Sequence, residues 1–335
     1  MTTGKRRLLS PMLMIVVPFV CLWLALPEAL LAVDNEKAGG RGRFRLDLYG
    51  GLSLLNPGDM NQIVDYDTSV REFTYDAYFD YLRANGMILS WSEDGDGAGR
   101  KIRHAFPFGI RVRYALLDFF ALSVGFEFLR RGPNDSLHVQ YTRRETAAET
   151  YLETLDTSPY RLETRAYWPS VGIHFFKRFG KALDAEAFAA GGPLFAECSY
   201  ESHRTYVWTI QGQGYAWETF KSEDHLAEDG SGIGISLEVG GRLSLPVRRG
   251  IDVFLESGYA YQMVKSLSGE GSEIKGETEK TWEGKWRVKS ETMTTPWGTR
   301  ILRFPTNYET GGTGTGDFRL DLSGFRIRIG ASLGF

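Results

Sequence analysis

The last eleven residues, Phe325 to Phe335, alternate without a break. Phe325, Ile327, Ile329, Ala331, Leu333 and Phe335 fall on one face of an extended chain, and Arg326, Arg328, Gly330, Ser332 and Gly334 fall on the other. One face asks for hydrocarbon and the other carries guanidinium and small polar groups. A strand of this kind at the end of a chain leaves a row of unpaired backbone groups. In lipid that row needs a partner, and pairing it with the first strand closes a barrel with no edge.

Composition limits the alternatives. The chain is 42% hydrophobic and 24% charged, with a mean hydropathy of -0.25, so beyond the N-terminal run no stretch is apolar enough to span a bilayer as a helix. Only a barrel reconciles a polar average with residence in lipid. Lys5-Arg6-Arg7, an apolar run from about Leu8 to Leu26 and the small residue Ala32 predict a cleaved export signal over 1–32, followed by a Gly-rich periplasmic lead over 33–43. Pro11 and Pro18 interrupt the run and argue against an anchoring helix. Cleavage removes three positive charges and one negative, taking the net charge from -3 to -5, and nothing in that balance points to nucleic acid. Of the two cysteines, Cys21 leaves with the signal and Cys198 stands alone, so no internal disulfide is expected.

From residue 44 the alternation recurs. Phe44, Leu46, Leu48, Leu52 and Leu54 face one way, and Arg45, Asp47, Tyr49 and Ser53 the other. Further strands are predicted over 106–114, 120–128, 167–176, 183–198, 233–247 and 251–263, with a bulge in the Ala189–Pro193 run. The closing strand makes eight. Connections alternate between long, after the first, third, fifth and seventh strands, and short, at 115–118, 178–181 and 246–250. That asymmetry is expected of an all-β, eight-stranded antiparallel up-and-down transmembrane barrel over 44–335, with periplasmic turns, long extracellular loops and both termini in the periplasm. A soluble barrel of the same parity would turn Arg326 and Arg328 to bulk water and leave the terminal Phe335 unexplained. Ser69 with Glu72 forms a capping box and Asn85-Gly86 a stop, predicting a helix in the first loop. Its apolar face includes Phe73, Tyr78 and Tyr81, a lid or a surface for a partner. Trp282-Glu-Gly-Lys-Trp286 alternates as well and would permit ten strands. The long periplasmic turn this would create favours a hairpin projecting outward, its tryptophans packed on another loop or at the lipid interface.

The closing strand and the loop periodicity together resemble the small outer-membrane β-barrels of the OmpA/OmpX type. The resemblance covers the strand regions and implies insertion by the barrel-assembly machinery through Phe325, Ile327, Ile329, Leu333 and Phe335. It implies an outer-membrane location and is silent on activity. Lipid A-modifying barrels use His-Ser pairs near the outer leaflet. Here His104, His138, His174, His203 and His225 are scattered, His174 lies near a periplasmic turn, and no enzyme is expected.

Inward positions collect Arg45, Asp47, Arg111, Arg113, Glu127, Glu186, Glu238, Arg242, Glu256, Arg326 and Arg328. An eight-stranded bore is only wide enough for side chains, so these charges are expected to pair into a filled ionic core, Arg242 with Glu256 first among them. The functional expectation is a monomeric scaffold in outer-membrane lipid whose loops meet an unidentified surface partner. The alternative is a small porin-like conduit for ions or amphiphilic solutes. No cofactor or metal is called for: Glu93–Gly99 has the acidic look of a calcium loop but carries Ser92 and Arg103 where its first and twelfth ligands belong.

Overall fold

The computed structural model describes residues 43–55, 58–62, 80, 84–85, 88–95, 103–131, 134–146, 149–179, 183–211, 218–248, 250–295, 298–306 and 316–335. In chain order the strands are β1 (Phe44–Leu55), β2 (Ile88–Gly95), β3 (His104–Leu117), β4 (Phe120–Arg131), β5 (Asn134–Thr146), β6 (Glu149–Phe179), β7 (Leu183–Gln211) and β8 (Glu218–Arg248). They continue with β9 (Ile251–Val264), β10 (Ser268–Lys275), β11 (Thr278–Lys285), β12 (Arg287–Thr295), β13 (Gly298–Thr306), β14 (Gly316–Asp317), β15 (Leu320–Asp321) and β16 (Gly324–Gly334). A 3-10 turn at Gly58–Met60 follows β1. The export segment over 1–32 and the lead, apart from Arg43, lie outside the described residues, as do Phe73, Tyr78 and Tyr81 of the expected loop helix.

Eight antiparallel strands close a ring in the order β1, β3, β4, β6, β7, β8, β9, β16 and back to β1. The seam is the one the sequence predicts: β16 runs against β1 from Arg45↔Gly334 to Leu55↔Gly324, and the Phe335 N–H donates to the Phe44 carbonyl at 3.0 Å. Three hairpins turn tightly at one end, between β3 and β4, β6 and β7, and β8 and β9. Gly250, at φ 76°, takes the left-handed conformation the last of these requires.

The outer face is hydrocarbon. Phe108, Val171, Ile233, Val239 and Ile329 are each at least 60% exposed, and Leu48, Leu255, Phe325 and Ile327 continue the band around the ring. Such a surface is far too large and contiguous for a soluble monomer. Beyond the band the wall keeps rising. β6, β7 and β8 are 31, 29 and 31 residues long, whereas a tilted span needs about 9–11. About 15 or more residues of each, on the order of 50 Å along the strand at the usual rise, therefore run past the apolar band. There β5 joins β6, β2 joins β5, β10 joins β8 and β11 joins β10, giving a sheet in the order β2, β5, β6, β7, β8, β10, β11. Trp282 and Trp286 belong to this region, the first in the β10–β11 hairpin and the second just after it. Because β10 pairs with β8 only above its pairing with β9, the ring stays at eight strands.

The bulge expected at Ala189–Pro193 is absent, which corrects the sequence reading. The register of β7 with β8 is unshifted from Asp184↔Ser244 to Ile210↔Glu218. On the β6 side Tyr167↔Phe195 and Val171↔Gly191 also keep one register, but the ladder is blank between them, where Pro169 and Pro193 come opposite one another. Neither proline has an N–H to donate. Gly192 lets the strands stay close across the gap, since a Cβ there would lie 2.1 Å from the Pro169 carbonyl oxygen.

Candidate functional site in the barrel lumen

Alternation sends every second side chain of the ring inward, and the bore is filled by charge. At the turn end Arg45 donates to Asp252 at 3.0 Å. One layer up, Asp47 is gripped by Arg113 Nε at 2.8 Å and by Arg242 Nη1 at 2.6 Å. Arg113 also donates to Glu186 at 2.6 Å, and Glu186 accepts from the His174 ring, whose Nδ1 lies 2.5 Å away. His174 Nε2 in turn meets the Ser123 hydroxyl at 2.7 Å. The next layer centres on Glu256, which takes Arg111 at 2.8 Å and Arg328 at 2.8 Å. Arg328 donates to Glu238 and forms an ion pair with Glu127 at 2.6 Å; Glu127 also accepts from Arg326 at 2.6 Å, and Arg326 reaches Gln262.

All eleven charged residues expected inside are there, and ten are buried; Arg45, half-buried, lies nearest the turns. With Asp252 they make six arginines against six carboxylates. Asp252 was legible as inward from its parity and lacked only the recognition that Arg45 needs a partner. The Arg242–Glu256 pair is a correction. The two residues are register partners, yet Arg242 reaches across the bore to Asp47 and Glu256 turns to Arg111 and Arg328. A bore this narrow brings strands on opposite sides within reach of an arginine, so cross-bore contacts compete with cross-strand ones.

Aromatic rings separate the guanidinium groups. Arg242 stacks 3.6 Å from the Phe254 ring centre, and Arg111 and Arg328 lie 5.2 and 5.3 Å from that of Tyr49. Three of the rings beside these arginines face a glycine: Tyr49 is paired with Gly109, Phe188, 5.4 Å from Arg111, with Gly240, and Phe254 with Gly330. A Cβ on Gly109 would sit 2.3 Å from the Tyr49 ring, so the glycine is the space the ring occupies.

Above the ions the bore becomes apolar. Leu129, Trp168, Leu194, Ala196, Cys198 and Val264 point in from the wall, and Met60, Leu267, Trp286, Phe318, Leu320 and Leu322 drop onto them from the connecting segments. β15 holds this stopper by pairing Leu320 with Val264. Asp59 fastens it from the other side, its carboxylate accepting the Arg319 N–H at 2.7 Å and its own N–H donating to the Arg319 carbonyl at 3.1 Å.

Chemically, the lumen can hold charge and protons but offers little room for a substrate. Ser123, His174 and Glu186 have the hydrogen-bond order of a hydrolytic relay. The backbone around Ser123, however, is laddered to β3 at Arg113 and to β6 at Gly172, which spends the donors an oxyanion would need. Arg113 also holds the glutamate from the side away from the imidazole.

No protein-family model matches the chain, and no curated protein matches it. Among solved structures it is similar to the crystal structure of Ail, the attachment invasion locus protein of Yersinia pestis. The identity is 10% over 88% of this chain and 99% of that one, with a TM-score of 0.31.

Proposed function

We propose that this chain is an integral outer-membrane protein with a sealed bore, working as a scaffold that holds a large sheet clear of the bilayer. The observation that carries the reading is the arginine–carboxylate lattice, which crosses the bore from wall to wall through Asp47, Glu256 and Glu127. Buried ions at this density are stable only while each finds a counter-charge, so the lattice acts as the barrel's core. A hydrated path would replace these contacts with water.

In this reading outer-membrane lipid surrounds the apolar band, the three tight turns and both termini face the periplasm, and the barrel-assembly machinery receives β16. The protein acts as a monomer, without catalysis. The extended sheet of β2, β5, β6, β7, β8, β10 and β11 is the surface offered to a partner. The test is planar-bilayer recording on refolded protein. The expected result is no steady single-channel current. A steady ohmic current from the unaltered chain would overturn the sealed scaffold and favour a conduit for ions or amphiphilic solutes.

A further inference from the structure

Beyond the apolar band the β7–β8 wall carries a histidine pair that the lumen does not use. His203 and His225 are register partners. Parity places them on the outer face, the one that lower down carries Phe195 and Ile233, eight residues away along each strand. At the rise of a strand this is about 26 Å above that level. Glu201 precedes His203 by two residues and Glu223 precedes His225 by two, so both carboxylates share the face. With Ile274 and Gly276 of the neighbouring hairpin, these four line a depression of about 440 Å³.

The geometry points to a binding site for one divalent transition ion of the zinc, nickel or copper class, held by His203, His225 and Glu201 with Glu223 or water completing the shell. Imidazole and carboxylate together suit these ions. The imidazole centres are 6.0 Å apart. An ion about 2.0–2.1 Å from each nitrogen lies about 3.2 Å from each ring centre, so centres from about 5.2 Å (tetrahedral) to about 6.4 Å (linear) can share it. Glu201 Oε1 lies 3.2 Å from His225 Nε2, close to the edge of about 3.3 Å between two ligands of a tetrahedral ion with such bonds. The hydrogen bond thus already holds two donors at ligand spacing. Among the described residues no three donors converge on a point as the side chains stand. Binding therefore requires the His203 ring to turn inward, and Glu223, now held by Lys221 and half exposed, is free to follow. The bound ion would clip β7 to β8 well beyond the membrane.

The test is calorimetric titration of zinc chloride into chelator-stripped protein, refolded in detergent and lacking residues 1–32. The expected result is one ion per chain. His203→Ala and His225→Ala should each weaken binding at least as much as the loss of an outer-shell partner does, on the order of tenfold or more, with Glu201→Gln weakening it less. His104→Ala, outside the cluster, should leave it unchanged. Retention of the heat-modifiable gel shift shows that each variant is folded. In the unaltered protein, zinc should also protect His203 and His225 from diethyl pyrocarbonate, a reading that needs no variant. Equal zinc affinity in the unaltered protein and in a variant carrying both His203→Ala and His225→Ala, or unprotected histidines at saturating zinc, would overturn the site and leave an ordinary His–Glu surface pair.

Discussion

Asp47 is the residue on which the lower half of the lattice turns, because Arg242 has its ion pair there while Arg113 has a second one at Glu186. Asp47→Asn therefore leaves Arg242 as a buried charge with a neutral neighbour. Breaking a buried pair from one side costs about 3–5 kcal/mol, whereas replacing both members with apolar groups of similar volume is often close to neutral. Asp47→Asn alone is expected to lower stability in that range, measured by urea unfolding in micelles. Combining it with Arg242→Met, whose side chain can still lie on the Phe254 ring, should recover much of the loss. The double-mutant cycle then gives the coupling directly. Additive losses would mean that the pair contributes little and that the fill of the bore, rather than its charge, holds the strands.

Strands β4 and β6 are stapled above the apolar band by Glu163, which accepts from Arg130 Nε at 2.5 Å and from Arg165 Nε at 2.7 Å. Burial alone would push this carboxyl up, but the hydrogen bonds from Arg165 and Arg130 outweigh it and hold the group at about 2, against an ordinary 4.5. A folded value below the unfolded one means stability that is fully present above pH 4.5 and drains away as pH falls through 2. Glu163→Gln should be less stable than the parent near neutrality, and the two unfolding curves should converge toward pH 2. Because both arginines are substantially exposed, the gap should also shrink in high salt. The barrel strands were legible because a two-residue period separates lipid from lumen along each of them, down to the Arg45↔Gly334 end of the seam. The missing bulge at Ala189–Pro193 was not, since the Gly-Pro run that suggests one serves two facing prolines in an unbroken register. The upper walls were harder still. β10 and β11 carry polar residues on both faces, Glu270 and Glu273, Lys280 and Glu283, so only the alternation that starts at Trp282 marks a hairpin there, and nothing in it says that the hairpin forms by continuing the β8 ladder. The partners of Arg242 lay beyond reach for another reason, because sequence parity gives the face of a strand but not which opposite strand a long side chain meets.

At the scale of the whole molecule the bore is filled by two layers in series, an ionic one below and an apolar one above, and their shares in the proposed seal can be separated by experiment. Trp286 and Phe318 meet edge to face at 5.6 Å within the stopper. A Cβ on Gly230 would lie 2.3 Å from Trp286 Nε1, and Gly230 is the register partner of Cys198, so the indole sits beside that thiol. In protein without residues 1–32, Cys198 is the only thiol, and at 2% exposure it should resist a maleimide until the chain unfolds. Replacing Trp286 and Phe318 together with alanine removes both rings and, at about 3–5 kcal/mol for each such truncation, should loosen the stopper locally. Cys198 should then be labelled while the protein still shows its folded gel mobility. The barrel should remain non-conducting, because the lattice around Glu256 and Glu127 lies below the removed rings and shares no side chain with them. A labelled but silent barrel assigns the ion barrier to the arginines. A labelled and conducting one assigns it to the stopper, and the charge lattice would then be the lining of a path that the rings keep shut.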